Sequence, residues 1–193
     1  MKKIILTLIV LTAACVQAAT LSQYSIQKQS IPEHITITAS VSPVRLPLVF
    51  IKDSKISMNQ SLDINLVGKR GISINNHTKQ QWVNEWLGEQ VNNNVINMNQ
   101  IPEIIFKSTF KRIKNNEFRK QLLSIRKIIL HKDITISGFI RQGDVMIYIA
   151  ISHDKGMSTI LLSSKKYPDM FTQISIFGLT KSEIDKNIIQ GFL

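Results

Sequence analysis

The stretch Ile134-Thr135-Ile136-Ser137-Gly138-Phe139-Ile140-Arg141-Gln142-Gly143-Asp144-Val145-Met146-Ile147-Tyr148-Ile149-Ala150-Ile151 decides the fold class. Two runs rich in β-branched residues flank the polar link Arg141-Gln142-Gly143-Asp144, whose Gly and Asp tolerate turn conformations. That pattern predicts a β-hairpin.

Period-two alternation recurs on both sides of this hairpin. Ile35, Ile37, Ala39 and Val41 alternate with Thr36, Thr38 and Ser40, as on a half-buried strand. Pro43 and Pro47 lack the N–H that ladder pairing needs, so the next strand is expected to start near Leu48 and include Phe50. Leu62, Ile64 and Leu66 form another strand, and Ile72 and Ile74 resume the pattern after Gly68 and Gly71. Ile104, Phe106, Ser108 and Phe110 against Lys107, Thr109 and Lys111 read as a further strand, and alternation returns from Met157 to Ser164 and from Phe171 to Leu179. Many short strands between turn signals predict an all-β fold, an antiparallel sandwich or barrel, rather than a βαβ array.

Two stretches depart from period two. From Thr78 to Val91 the pairs Trp82 and Trp86, Val83 and Leu87, and Leu87 and Val91 recur at helical spacing, which predicts a short amphipathic helix. Asn116 to Leu130 mixes charges with Leu122, Leu123, Ile125, Ile128 and Ile129, and its periodicity fits a second helix or a long strand. No repeat or composition shift marks a second domain, so residues 19–193 are read as one domain.

The first eighteen residues carry an address. Lys2 and Lys3 precede the apolar run from Ile4 to Val10, and small residues follow around Ala13, Ala14, Ala18 and Ala19. This is the pattern of a secretory signal, with Val16 and Ala18 at the recognition positions and cleavage expected after Ala18. A membrane anchor needs about 20 predominantly apolar residues, which Thr7, Thr12 and Gln17 dilute. Lipoprotein processing at Cys15 is the other alternative, although Leu11 lies one place too far from the cysteine. The expected location is the periplasm or the exterior.

Cleavage after Ala18 removes Cys15, the single cysteine, and with it thiol catalysis, disulfides and thiolate metal sites. The formal charge of +11 falls by two, to +9, as Lys2 and Lys3 leave. So basic a chain favours anionic neighbours such as lipid head groups or cell-surface polymers. The densest basic run, from Lys107 to Lys132, includes Lys111, Arg112, Lys114, Arg119, Lys120, Arg126 and Lys127 and fits a solvated face or a polyanion site. Phe110 and Phe118 are too sparse within it to stack bases, so no nucleic acid partner is expected.

Candidate chemistry is scant. His131 and Asp133, or His153 and Asp154, could be drawn into a triad with a serine, but nothing in their spacing brings them together. Ordinary turn and strand-end roles fit them better, and a non-enzymatic protein is expected. No His-x-x-x-His or carboxylate-rich metal loop occurs, and no cofactor is expected.

Ile101-Pro102-Glu103-Ile104-Ile105-Phe106-Lys107-Ser108-Thr109 resembles the segment of YceI-like polyisoprenoid-binding proteins in which a proline precedes a strand ending Phe-Lys-Ser-Thr. Ser61 to Ile74 looks like that family's strand pair, Asn75 to Leu87 like its polar helical stretch, and Ile134 to Gly138 with Gly143 like its glycine-containing hairpin. The resemblance implies an antiparallel lipocalin-like barrel with one or two short helices, holding an isoprenoid or other amphiphilic lipid in an apolar cavity. On that reading Phe50, Ile64, Trp82, Trp86, Phe106, Phe139, Ile147 and Phe177 line the cavity, and basic groups at its mouth attract an anionic head. An anionic membrane surface is a further expected neighbour. The competing expectation is an exported basic interaction or adhesion module with a filled core, binding an anionic surface polymer.

Overall fold

The computed structural model describes residues 21–30, 33–82 and 97–193. Among these, the strands in chain order are β1 (Ser22–Gln23), β2 (His34–Thr38), β3 (Pro43–Pro47), β4 (Lys55–Met58), β5 (Leu62–Leu66), β6 (Arg70–Thr78), β7 (Ile134–Gln142), β8 (Val145–Ser152), β9 (Ser158–Ser164) and β10 (Met170–Phe177). The α-helices are α1 (Leu48–Ile51), α2 (Lys79–Trp82), α3 (Ile101–Lys107), α4 (Asn116–Ile129) and α5 (Lys181–Asn187). The expected signal over residues 1–18 lies outside the described residues, as does most of the helix expected from Thr78 to Val91.

Eight strands form one sheet in the order β1-β7-β8-β9-β10-β6-β5-β4, antiparallel throughout except where β1 pairs in parallel with β7. The hairpin of β7 and β8 is closed by the two residues Gly143 and Asp144, with Gly143 at φ 56°, and Gln142 faces Val145. The fold is thus mostly β, as expected. Its sheet is open among the described residues, because β1 and β4 occupy opposite edges and do not pair. β2 and β3 make a separate two-stranded ribbon.

The central strands are buried on both faces. On one face Ile147, Ile149 and Ile151 of β8 join Ile160, Leu162, Ile174 and Ile176, covered by Val44 and Leu46 of the ribbon and by Ile184, Ile188, Ile189 and Phe192 at the C-terminus. On the other, Tyr148, Ala150, Leu161 and Phe171 meet Ile101, Ile104, Ile105 and Phe106 of α3 and Phe118, Leu122 and Ile129 of α4. Each large apolar side chain so buried contributes about 1.5–3 kcal/mol, and alternate positions of one strand feed two cores.

Two segments differ from their sequence expectation, and a third that fits helix or strand is decided. The strand expected through Ile104, Phe106, Ser108 and Phe110 is the helix α3, followed by a 3₁₀ turn at Phe110–Arg112. Pro102 sits in its first turn, Glu103 and Lys107 pair at 2.8 Å one turn apart, and Ser108 ends it in the left-handed conformation at φ 56°. Burying Ile101, Ile104 and Ile105 on one stripe outweighs the alternation. The strand expected from Leu48 through Phe50 is the single-turn helix α1, and the prolines thought to interrupt pairing instead bound β3. Leu48 N donates to Glu33 O at 3.0 Å, so Pro43 and Pro47 fall at positions whose missing N–H faces the ribbon's free edge. The open segment from Asn116 resolves as a helix, α4, with the Asn115 side chain accepting from Phe118 N at 2.9 Å as its cap.

The segment around Tyr24 and the C-terminal segment are tied to this sheet and to each other. Tyr24 N donates to Phe139 O at 2.8 Å, and the Tyr24 hydroxyl donates to Asp185 Oδ1 at 2.6 Å. Burial foremost, then this bond to Asp185, pushes the Tyr24 pKa up to about 12. Gly138 permits the approach, since a Cβ there would stand 3.0 Å from Ser22 O and 3.2 Å from Tyr24 Cβ. Gly191 is tighter still: its added Cβ would fall 2.0 Å from Arg45 O. The turn entering α5 carries a capping box in which Thr180 and Glu183 bond reciprocally, and Arg70 pairs with Glu183 at 3.0 Å.

Gly191→Ala is expected to lower unfolding free energy by about 1–3 kcal/mol in urea titration, because the ribbon must shift to admit the methyl. Backbone hydrogen bonding from Thr180, above all, holds the Glu183 carboxyl below its ordinary 4.5. The folded form therefore gains stability above that value and loses it as pH falls through the depressed one. Melting temperature should drop less steeply below about pH 4.5 in Glu183→Gln than in the parent, as measured by circular dichroism across acid pH.

Candidate functional site

The residues expected to line one cavity are divided between the two faces of the sheet. Ile64 and Ile147 are fully buried in the core under the ribbon, and Phe50 packs against that core. Phe106 and Phe139 belong to the opposite core under α3 and α4, with the Lys107 Nζ 6.0 Å from the Phe139 ring centroid. Phe177 ends β10 and is 43% exposed. Trp82 closes α2, and Trp86 lies outside the described residues. The alternation expected to point these side chains into one lumen serves two interiors.

A cleft of about 520 Å³ opens instead where α3 and the 3₁₀ turn Met98–Gln100 meet the β7–β8 and β9–β10 connections. Met146, Tyr148 and Pro168 give it an apolar floor, and Glu103, Lys107, Arg141, Asp144 and Lys165 stand around it. Pairing of its charges is uneven. Glu103 is engaged by Lys107 at 2.8 Å, and Asp144 by Lys166 at 3.0 Å. Arg141 bonds only to Gly143 O, at 3.4 Å, and neither it nor Lys165 has a carboxylate partner among the described residues. Among the described residues, two exposed cations are thus left over at the rim.

Two neutral groups lie deeper. The Asn99 Nδ2 donates to Ser164 O at 2.9 Å, while Asn99 Oδ1 is buried with no partner among the described residues. Tyr148 is only 2% exposed, its ring centroid 5.4 Å from that of Phe106, and its hydroxyl makes no hydrogen bond among the described residues. Burial first, and the negative charge of Glu103 second, push the Tyr148 pKa up, so the hydroxyl remains a proton donor at neutral pH. Asn99 is held from its backbone too, through Asn99 N to Pro168 O at 3.1 Å.

The basic run from Lys107 to Lys132 separates into structural and free charges. The Arg126 guanidinium donates to Ile105 O and to Phe106 O, closing the C-terminus of α3, and burial lowers its pKa. Arg119 Nη2 donates to Ile113 O at 2.8 Å, and Lys120 lies 3.8 Å from Glu117. Lys111, Lys114, Lys127 and Lys132 are exposed with no ion pair among the described residues.

His131 and His153 stand in the turns that flank β7 and β8. His131 Nε2 meets Met157 O at 3.0 Å and its Nδ1 lies 3.5 Å from Asp133, while His153 pairs with Asp154 at 2.6 Å. The nearby Ser152 hydroxyl donates to His153 O, and Ser158 Oγ accepts from Ser152 N. No imidazole among the described residues is bonded to a serine hydroxyl. No group of three or more His, Cys, Asp or Glu side chains capable of holding a metal occurs among the described residues. No helix among them is long and apolar enough to cross a membrane.

Arg141, Tyr148, Lys165 and Asn99 were not singled out from sequence. Tyr148 did carry a signal, as the one polar tip inside the apolar run Val145 to Ile151. The fold and cleft together define an open, two-sided β-sheet protein with a cationic recess at one end of the sheet. No protein-family model matches the chain, and no curated protein matches it.

Arg126→Met is expected to destabilise the protein by about 1–3 kcal/mol, since it strips the terminal carbonyls of α3 of their donor. Lys127→Met, one residue on, should fall within about 0.5 kcal/mol of the parent in the same urea titration.

Proposed function

We propose that the protein is an exported, non-enzymatic binding module that recognises an anionic surface polymer through the cleft beside α3. One observation carries this reading: Arg141 and Lys165 stand at the rim of a roomy recess without carboxylate partners among the described residues, while both faces of the sheet behind it are filled. A cleft of about 520 Å³ falls within the range of about 300–1,000 Å³ typical of ligand sites. The exposed Lys111, Lys114, Lys127 and Lys132 add a long-range positive field that draws a polyanion in without contacting it.

A second reading keeps the lipid. Met146, Tyr148 and Pro168 offer an apolar floor beneath the same cations, which suits an amphiphile whose head group carries negative charge. The resemblance to YceI-like proteins supports this reading, with a long isoprenoid in a lipocalin-like barrel as its fullest form. Such a barrel would need β1 and β4 brought together and an apolar lumen opened between strands now packed against their covers.

Binding of fluorescent polygalacturonate, followed by anisotropy, tests the polymer reading. Affinity should fall steeply as salt rises from about 50 to 200 mM, and Arg141→Gln with Lys165→Gln should weaken it about tenfold. Lys114→Gln with Lys132→Gln should change it far less. Salt-insensitive binding, or equal effects of the two pairs, contradicts the assignment to the cleft. A prenyl lipid co-purifying with the mature protein in native mass spectrometry would favour the second reading.

A further inference from the structure

We infer that the cleft is built for an acidic sugar rather than for a bare anion. This rests on the anionic-ligand reading and narrows it. Asn99 Oδ1 can only accept a hydrogen bond, and its orientation is fixed because the amide's other end must donate to the carbonyl of Ser164. It is buried and has no donor among the described residues. A sulfate, carboxylate, phosphodiester or internal polyphosphate group brings acceptors alone at neutral pH, so it would leave this oxygen unpaired and in conflict with negative charge.

A sugar hydroxyl resolves both demands of the cleft floor. It donates to Asn99 Oδ1 and has lone pairs to accept from the hydroxyl of Tyr148, a residue that lines the cleft and makes no side-chain hydrogen bond among the described residues. The acidic substituent of the same or the next ring then meets Arg141 or Lys165 at the exposed rim. The C–H faces of the ring pack on Met146 and Pro168. A buried acceptor rejects ligands that cannot satisfy it more strongly than an apolar wall does, so Asn99 Oδ1, with the Tyr148 hydroxyl beside it in the cleft lining, sets selectivity while the cations set affinity.

Titration calorimetry with three probes separates the possibilities: oligogalacturonate or alginate oligosaccharide, polyphosphate of similar charge, and a neutral galactose oligomer. The acidic sugar should bind about tenfold or more tightly than either of the others. Tyr148→Phe keeps the ring against Phe106 and should weaken the acidic sugar about fivefold while leaving polyphosphate unchanged. Equal affinity for polyphosphate, together with indifference to Tyr148→Phe, would overturn this inference and leave the broader anionic reading standing. Failure of the uronates and polyphosphate alike would overturn both.

Discussion

Burial of β8 and β9 on both faces is the constraint from which the rest of this structure follows. A strand with one solvated face can alternate apolar and polar residues; Val145 to Ser152 and Ser158 to Ser164 do so only weakly, and the sheet must be covered twice. The ribbon of β2 and β3 with the C-terminal segment supplies one cover, and α3 with α4 the other. Apolar side chains that a barrel would aim into one lumen are thereby divided between two packed interiors.

The second cover explains both the arrangement of charge and the position of the recess. For α3 to lie on Tyr148 and Leu161 it must end abruptly, and it does so at Ser108 with Arg126 of α4 supplying donors to its last carbonyls. Arg126, in the middle of the basic run, is consequently engaged in joining the two helices. The cations at the cleft come from elsewhere: Arg141 near the end of β7 and Lys165 just beyond β9. They border the cleft because α3 and its preceding 3₁₀ turn stop short of the strand ends.

Much of the sheet was legible from period two. The hairpin around Gly143, the strands near Ile64 and Ile72, and those beginning near Ser158 and Phe171 all lie where alternation and turn residues put them. Ile101 to Lys107 misled because a seven-residue helix holds too few turns to separate period 3.6 from period two. Pro102 followed by Glu103 and Lys107 carried the helical signal, through first-turn geometry and an ion pair one turn apart. Leu48 to Phe50 misled differently, since prolines on a two-stranded ribbon cost no ladder bond. The site was less legible than the fold. Asn99, Tyr148 and Lys165 are far apart in sequence and individually ordinary, and only the placement of α3 over the strand ends gives them a common recess.

The central claim is that β8 and β9 are packed on both faces and leave no lumen between strands and covers. Native-state amide hydrogen exchange across Val145 to Ser152 and Ser158 to Ser164 tests it most directly. These amides should exchange only through global unfolding, with protection matching the full unfolding free energy and unaltered by added prenyl lipid. Exchange through local opening along Ile147, Ile149 and Ile151, or protection there that rises when lipid is added, would contradict it.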